Sequence, residues 1–337
     1  MFANKKRIKV AINGFGRIGR ATFKILLNNP KIEVVAVNDL VEPEALAYLL
    51  QYDSVYGKYN KKVSSEKEGI VVDGQKYPIY AIKNPAELPW KKLGVDVVLE
   101  CTGIFRTQET ANGHIQAGAK KVIISAPAKD EKIKTIVLGV NENKISKTDK
   151  IISMASCTTN CLAPITDCIQ KNIGIKKAIM TTVHGYTADQ NLVDGPHKDP
   201  RRARAAAMNI VPTTTGAAIA TTETIPELAG KFDGIAMRVP VVCGSIVDAV
   251  YLVNKKVTTQ KINEALRKYS GGKLKGIMTV TKEPLVSTDI IGNPASAIVD
   301  LSLTKVVDGD LVKIIAWYDN EWGYSNRLAE MVEIFGK

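Results

Sequence analysis

The 337-residue sequence predicts an α/β protein in two parts: a doubly wound, parallel-sheet part first, then an α+β part whose sheet is mostly antiparallel. Three observations carry this. An alternating strand runs into a glycine-rich turn, a helical pattern and a second apolar strand that ends on an acid. Short strands and helices then alternate to about residue 156. Beyond that point, Phe232–Val242, Ile246–Val253 and Leu311–Tyr318 alternate as strands, the first two antiparallel and split by Gly244-Ser245.

Taken in order, Arg7 to Asn13 reads as a strand because Ile8, Val10 and Ile12 alternate. Gly14-Phe15-Gly16-Arg17-Ile18-Gly19 follows, then a helical run through Ala21, Phe23, Ile25 and Leu26 that stops at Asn28-Asn29-Pro30. Ile32 to Val37 is a buried strand closing on Asn38-Asp39, with the acid about twenty residues past the last glycine, which is the dinucleotide fingerprint. Gly14 permits the tight turn, Gly16 lets backbone approach a pyrophosphate, and Gly19 lets helix and strand pack closely. Asp39 would accept from ribose hydroxyls and repel a 2′-phosphate, which favours NAD over NADP.

Further βα units are expected at Asp96–Glu100, Thr107–Ala117 and Lys121–Ser125; the strand ends at Thr102 and Ser125 are where such a sheet binds its ligand. His114 falls within the second of these and reads as structural, and Cys101 and Cys243 as core. Ile151–Met154 is a strand leading into Ala155-Ser156-Cys157-Thr158-Thr159-Asn160-Cys161. Cys157, Cys161, Leu162, Ile165, Cys168 and Ile169 share one helix face, and Ser156 is a good N-cap, so Cys157 lies in the first turn. Unpaired amides and the helix dipole there favour a thiolate, a nucleophile. Lys177–Val183 is a strand ending at His184, placed to serve a thiol as base. The long polar segment Tyr186–Met208 reads as a functional or subunit-contacting loop, with His197 on its surface. Pro212-Thr213-Thr214-Thr215-Gly216 resembles an anion-binding loop before a helix. Thr258–Tyr269 and Asn320–Phe335 read as helices, the last packing back on the first domain, with strands near Ile298–Leu303 and Leu311–Tyr318.

Composition narrows the class. Five cysteines without framework or metal spacing, and three histidines, argue for free thiols in a reducing cytoplasm and for no metal site. Met1–Lys9 is basic but lacks an apolar signal core, and no stretch is apolar enough to span a membrane. The formal charge of +12 comes from lysine pairs spread along the chain, which read as solvated surface; the cluster Arg201-Arg202-x-Arg204 is the exception. A basic RNA binder or surface adhesin is permitted by this charge, but no residue pattern specifies one.

The sequence closely resembles the phosphorylating, NAD-dependent glyceraldehyde-3-phosphate dehydrogenase family over essentially its whole length. The resemblance rests on Gly14–Arg20, Asn38-Asp39, Ser156–Pro164, His184–Thr187, Lys198–Ala207, Pro212–Ala218, Arg238-Val239-Pro240 and Trp317–Tyr324. It implies a nucleophile at Cys157 with His184 as base. It implies NAD contacts at Arg17, Ile18, Asp39, Lys83, Ser125 and Asn320, beside the glycines and Thr102. It also implies phosphate-holding groups at Ser156, Thr158, Thr187, Arg202, Thr215, Gly216 and Arg238. Residues 1–156 and 320–337 would form the dinucleotide-binding domain and 157–319 the catalytic domain. The implied activity oxidises glyceraldehyde 3-phosphate with NAD and inorganic phosphate, in a homotetramer. Met154, Lys83-Asn84-Pro85 and Trp322 depart from common family residues, and none removes a reacting group. An erythrose-4-phosphate dehydrogenase of the same fold would use the same pair. Aspartate-semialdehyde-type reductases fit the Pro212–Gly216 segment and the arginines poorly.

Overall fold

The computed structural model describes residues 6–337; residues 1–5, the start of the basic N-terminal segment, lie outside the described residues. The chain divides into two compact units. The first comprises the described residues through Ile136, with Asn143–Ala155 and Ser325–Lys337; the second comprises Val137–Glu142 and Ser156–Tyr324.

In the first unit, β1 (Ile8–Asn13) feeds α1 (Arg17–Leu26), which returns as β2 (Ile32–Asn38). α2 (Pro43–Gln51), a small hairpin of β3 (Tyr52–Asp53) and β4 (Gly57–Lys58), and three strands β5 (Val63–Glu66), β6 (Gly69–Val72) and β7 (Gln75–Tyr80) follow. α3 (Trp90–Leu93), β8 (Val97–Glu100), α4 (Gln108–Gln116), β9 (Lys121–Ile124), β10 (Lys134–Thr135) and β11 (Ile151–Ser153) complete it. Nine strands form one sheet in the order β10-β11-β9-β8-β1-β2-β7-β6-β5. It is parallel from β10 to β7 and antiparallel only where β5 and β6 extend its edge. Continuous burial of β8, whose four residues are all inaccessible, reflects a sheet covered on both faces. α4 starts where Thr107 caps it in a reciprocal capping box with Thr110.

The second unit is built around α5 (Cys157–Asn172) and a second sheet. Its strands are β12 (Ile175–Gly185), β13 (Val211–Thr214), β14 (Phe232–Val239), β15 (Ser245–Val253), β16 (Met278–Thr281), β17 (Ala297–Asp300), β18 (Lys305–Val307) and β19 (Leu311–Tyr318); α6 (Ala217–Thr224) and α7 (Thr259–Gly271) complete the unit's helices, and α8 (Trp322–Phe335) closes the chain. The sheet order is β13-β14-β12-β15-β19-β17-β16, with β18 on β19. Only β12–β14 and β16–β17 pair in parallel. α5 is buried all round from Thr158 to Ile169, not on one face as its cysteine and leucine spacing suggests. Burial of Leu162, Ile165 and Ile169 contributes about 1.5–3 kcal/mol each, enough to carry the helix through Pro164, which costs about 3 kcal/mol.

Two strand expectations change. The β14 and β15 segments do not pair with each other; β12 lies between them, parallel to one and antiparallel to the other. The connection crosses over the end of β12, where a side chain at Gly185 would meet the Val241 carbonyl at 2.8 Å. Pro212-Thr213-Thr214 is strand rather than loop, because it pairs with Ile235–Met237 of β14; only Thr215 and Gly216 form the turn before α6.

Candidate active site

The first unit presents the turn between β1 and α1. Gly14 has φ +94, and a Cβ there would lie 2.7 Å from the Thr102 backbone nitrogen. A Cβ on Gly19 would lie 2.1 Å from the Gly14 carbonyl oxygen, so helix and turn meet only through glycine. Gly16 is exposed and faces open space, with Arg17 and Ile18 opening the helix behind it. Asp39 closes the turn: its Oδ2 accepts from Phe15 N–H (2.6 Å) and its Oδ1 from Val41 N–H (3.1 Å). The Arg17 guanidinium is bound to Asp53 (2.8 Å), which holds the β3–β4 hairpin against α1. Thr102 and Ser125 stand at the ends of β8 and β9, and Lys83 is exposed after β7. This open turn with an acid at the next strand end fits a dinucleotide's pyrophosphate and ribose.

Cys157 and His184 belong to the second unit and meet: Sγ lies 3.4 Å from Nε2. Ser156 caps α5 by accepting from Thr159 N–H (3.1 Å), which places Cys157 in the first turn. Ala155, just before, has φ +53, a left-handed turn unusual for alanine. The register pairs His184 with Arg238 and Arg238 with Val211, so sheet order alone brings the guanidinium beside the imidazole. Arg238 Nη1 is 2.8 Å from His184 Nδ1 and donates to the Gly185 carbonyl (3.0 Å). That carbonyl lies 2.6 Å from Nδ1 and can only accept. Nδ1 thus meets one group that can only accept and one that can only donate, and Nε2 faces the Cys157 sulfur.

Electrostatics differ from the expectation of a resting thiolate. Burial pushes the Cys157 thiol up, against Arg238 and the hydrogen bonds of Thr158. Burial, then Arg238, pushes His184 down to about 3. The resting pair is thus a thiol and a neutral imidazole, because withdrawal from water outweighs the helix end. Cys161, one turn on, is held well above its ordinary value by burial.

The remaining anion candidates divide. Arg238 Nε is buried without a hydrogen-bond partner among the described residues. Arg202 is already engaged: Nη1 with Asp189 (2.5 Å), Nε with Thr213 Oγ1 (2.9 Å) and Nη2 with the Thr214 carbonyl (3.2 Å). Thr158 Oγ1 is 2.9 Å from the Tyr318 hydroxyl, which also meets Thr182 Oγ1 at 2.8 Å, and the Tyr318 ring stands edge-on to His184. Thr215 Oγ1 accepts from Ala217 N–H (3.2 Å), and Gly216 is exposed at the α6 N-terminus. Thr187 N–H points to Gln190 Oε1 (3.4 Å). Asn320 Oδ1 accepts from Gly244 N–H (3.1 Å) and the Ser245 hydroxyl (2.8 Å). His197 is not simply at the surface: its ring accepts from Asp199 N–H (2.9 Å) and lies 3.6 Å from Asp189. Asp189 and Tyr318 are the neighbours that the sequence reading did not assign. Tyr318 alternates inward along β19, a signal that marks it as core and gives no hint of its hydroxyl contacts. Among the described residues no group of three or more His, Cys, Asp or Glu is placed to hold a metal, and no helix is long and apolar enough to cross a membrane.

A hydride-accepting dinucleotide and a thiol beside a neutral imidazole are the equipment for oxidising a carbonyl carbon; the class is that of NAD-dependent oxidoreductases acting on an aldehyde. The comparisons give the family. Residues 8–108 match "Glyceraldehyde 3-phosphate dehydrogenase, NAD binding domain" and residues 156–320 match the C-terminal domain of the same family. The chain is 54% identical over 333 residues to a glyceraldehyde-3-phosphate dehydrogenase of Borreliella burgdorferi, covering 97% of this chain and 99% of that one. It is 53% identical over 331 residues to glyceraldehyde-3-phosphate dehydrogenase 1 of Bacillus subtilis, and 52% over 331 residues to glyceraldehyde-3-phosphate dehydrogenase 2 of Streptomyces avermitilis, covering 98% of each chain in both cases. The chain belongs to the glyceraldehyde 3-phosphate dehydrogenase family.

Proposed function

We propose that this chain oxidises D-glyceraldehyde 3-phosphate to 1,3-bisphosphoglycerate with NAD and inorganic phosphate, through a hemithioacetal and a thioester on Cys157. The observation that carries the reading is the 3.4 Å contact between Cys157 Sγ and Nε2 of His184, a ring that burial keeps neutral. The thiol hands its proton to Nε2 as sulfur adds to the aldehyde carbon, and Nε2 returns it to the new oxygen. Bound NAD supplies the hydride acceptor, its nicotinamide ring. As hydride leaves the carbon, His184 removes the hydroxyl proton, and the carbonyl re-forms as a thioester. Inorganic phosphate then attacks that carbon and Cys157 leaves, so one proton is released overall.

Arg238 tunes these steps. Its charge adds to burial in holding His184 neutral. A substrate phosphate near its guanidinium would offset that charge and make Nε2 a stronger base when it is needed. Ser156, Thr158, Thr187, Thr215 and Gly216 supply hydroxyls and amides for the two phosphates. Arg202 reaches an anion only by sharing its guanidinium with Asp189. Gly14, Gly16, Arg17, Ile18, Gly19, Asp39, Lys83, Thr102, Ser125 and Asn320 are the NAD contacts of this reading. Residues 1–156 and 320–337 carry NAD binding and 157–319 the chemistry. A homotetramer in the cytoplasm fits the family and the five free thiols.

The test follows NADH absorbance with glyceraldehyde 3-phosphate and NAD, with and without inorganic phosphate, and with erythrose 4-phosphate in parallel. Phosphate-dependent turnover of the triose is expected. Preference for the tetrose, or turnover indifferent to phosphate, overturns the proposal.

A further inference from the structure

A buried polar chain runs beneath the ends of three neighbouring parallel strands of the first unit. Asn38, last in β2, accepts from Ile82 N–H (3.0 Å) and donates to the Ile82 carbonyl (2.9 Å) and to Asn13 Oδ1 (2.7 Å). Asn13, last in β1, donates to Glu100 Oε2 (2.5 Å). Glu100, last in β8, accepts on Oε1 from both the backbone N–H (2.8 Å) and the hydroxyl of Thr102. The ladder pairs Asn13 with Asn38 and with Glu100, so the three side chains stand in one row. Glu100 and His114 are wholly inaccessible.

His114 fixes the protons of this chain. Its Nδ1 is 3.0 Å from the Trp90 indole nitrogen, which can only donate. Nδ1 is therefore bare, the imidazole is neutral, and its Nε2–H donates to Glu100 Oε2 at 3.0 Å. The carboxylate thus collects four donors and touches no cation. Such a group is costly to bury, and an apolar residue would fill the space more cheaply. A glutamine cannot replace it, since an amide nitrogen would face two of the four donors.

The segments tied together are those that carry the candidate cofactor contacts. Gly14 follows Asn13, Asp39 follows Asn38, Lys83 follows Ile82, and Thr102 is held by Glu100 directly. The absent Cβ of Gly14 faces the backbone of Thr102 and Cys101 within 3 Å, so a small shift of Thr102 moves the turn itself. We infer that Glu100, oriented by His114 and Trp90, is a positioning residue for NAD: it fixes Thr102 and, through Asn13 and Asn38, the four segments on which the dinucleotide rests. The inference builds on NAD binding by this unit and is independent of which aldehyde is oxidised.

The test uses the full-length protein, with wild-type NAD affinity measured first by calorimetry; a wild type that does not bind NAD removes the cofactor reading itself. Glu100→Gln is expected to raise the Kd and KM for NAD at least tenfold, with kcat at saturating NAD and the aldehyde KM within twofold. His114→Gln, which retains an N–H donor toward Glu100, is expected to stay within threefold of wild type, while His114→Leu loses at least tenfold. Combining Glu100→Gln with Thr102→Val is expected to cost little more than either alone, because both act through one contact. An unchanged Kd in Glu100→Gln, or additive losses in the double variant, overturns the inference. If Glu100→Gln does not fold, the two His114 variants decide, and equal Kd values for them overturn it.

Discussion

Replacing Arg238 with Gln separates two effects that the wild-type site superposes. Its charge lowers the basicity of His184 and pulls the Cys157 thiol down against burial. Nη1 is 2.8 Å from one ring nitrogen of His184 and Sγ is 3.4 Å from the other, which puts charge and sulfur within about 8 Å. At an effective dielectric of ~20 this interaction is about 2 kcal/mol. In a His184→Asn background the thiol titrates without its imidazole neighbour, so the Arg238 contribution can be read alone. Removing the guanidinium there lowers the thiolate fraction at pH 8 roughly 30-fold, while the more basic thiolate regains roughly 5-fold in intrinsic reactivity. Alkylation by iodoacetamide should therefore slow about 6-fold at pH 8. With His184 present the fall should be smaller, because the imidazole becomes more basic once the charge is gone. The assay is the pseudo-first-order alkylation rate from pH 6 to 10 for His184→Asn with and without Arg238→Gln. A profile that stays in place, or moves to lower pH, refutes the electrostatic reading of this site.

The other variants probe separate links. Cys157→Ser should bind NAD normally by calorimetry yet lose several orders of magnitude in turnover; near-normal turnover rules out this nucleophile. His184 is held at about 3 against an ordinary 6.5, so the native state binds fewer protons than the unfolded chain between those values. Its contribution is complete above pH 6.5 and is lost as pH falls toward 3, about 2 kcal/mol by pH 5. Urea unfolding of His184→Asn at pH 7.5 and pH 5 should show a correspondingly smaller difference than wild type, and equal differences would count against the burial account. Gly19→Ala puts a methyl 2.1 Å from the Gly14 carbonyl, so NAD affinity should fall at least tenfold while the thiol alkylation rate holds; retained affinity would show that the turn can yield. Asp39→Gly should relax NAD over NADP selectivity and also weaken NAD binding, because Asp39 supports Phe15 N–H; unchanged selectivity removes it from the ribose role.

How far the sequence speaks depends on whether a feature is local. The β1–turn–α1–β2 unit is legible because each part has its own signal: alternation, glycines, helical spacing and a closing acid. The Ser156 cap and the first-turn position of Cys157 are legible for the same reason. The segment from Leu40 to Val95 is less so: β5 is largely exposed, and the apolar run of β6 and the alternation of β7 span only four and six residues. Insertion of β12 between β14 and β15 is invisible because pairing partners lie 54 to 78 residues apart, and the local trace is Gly185, whose missing side chain lets the crossover pass.

Chemical state is less legible still. A helix N-terminus in the sequence argues for a thiolate, yet whether it wins depends on how much water the fold removes, and only the packed sheet reveals that. The same packing sets the partners of His184. Gly185 presents a carbonyl to Nδ1 because β12 ends there, and Arg238 reaches the same carbonyl because β14 runs parallel in register. A sequence can nominate the cysteine and the histidine; it takes the order of three strands to decide that the histidine waits as a neutral base, and that a positive charge stands beside it for an incoming anion to cancel.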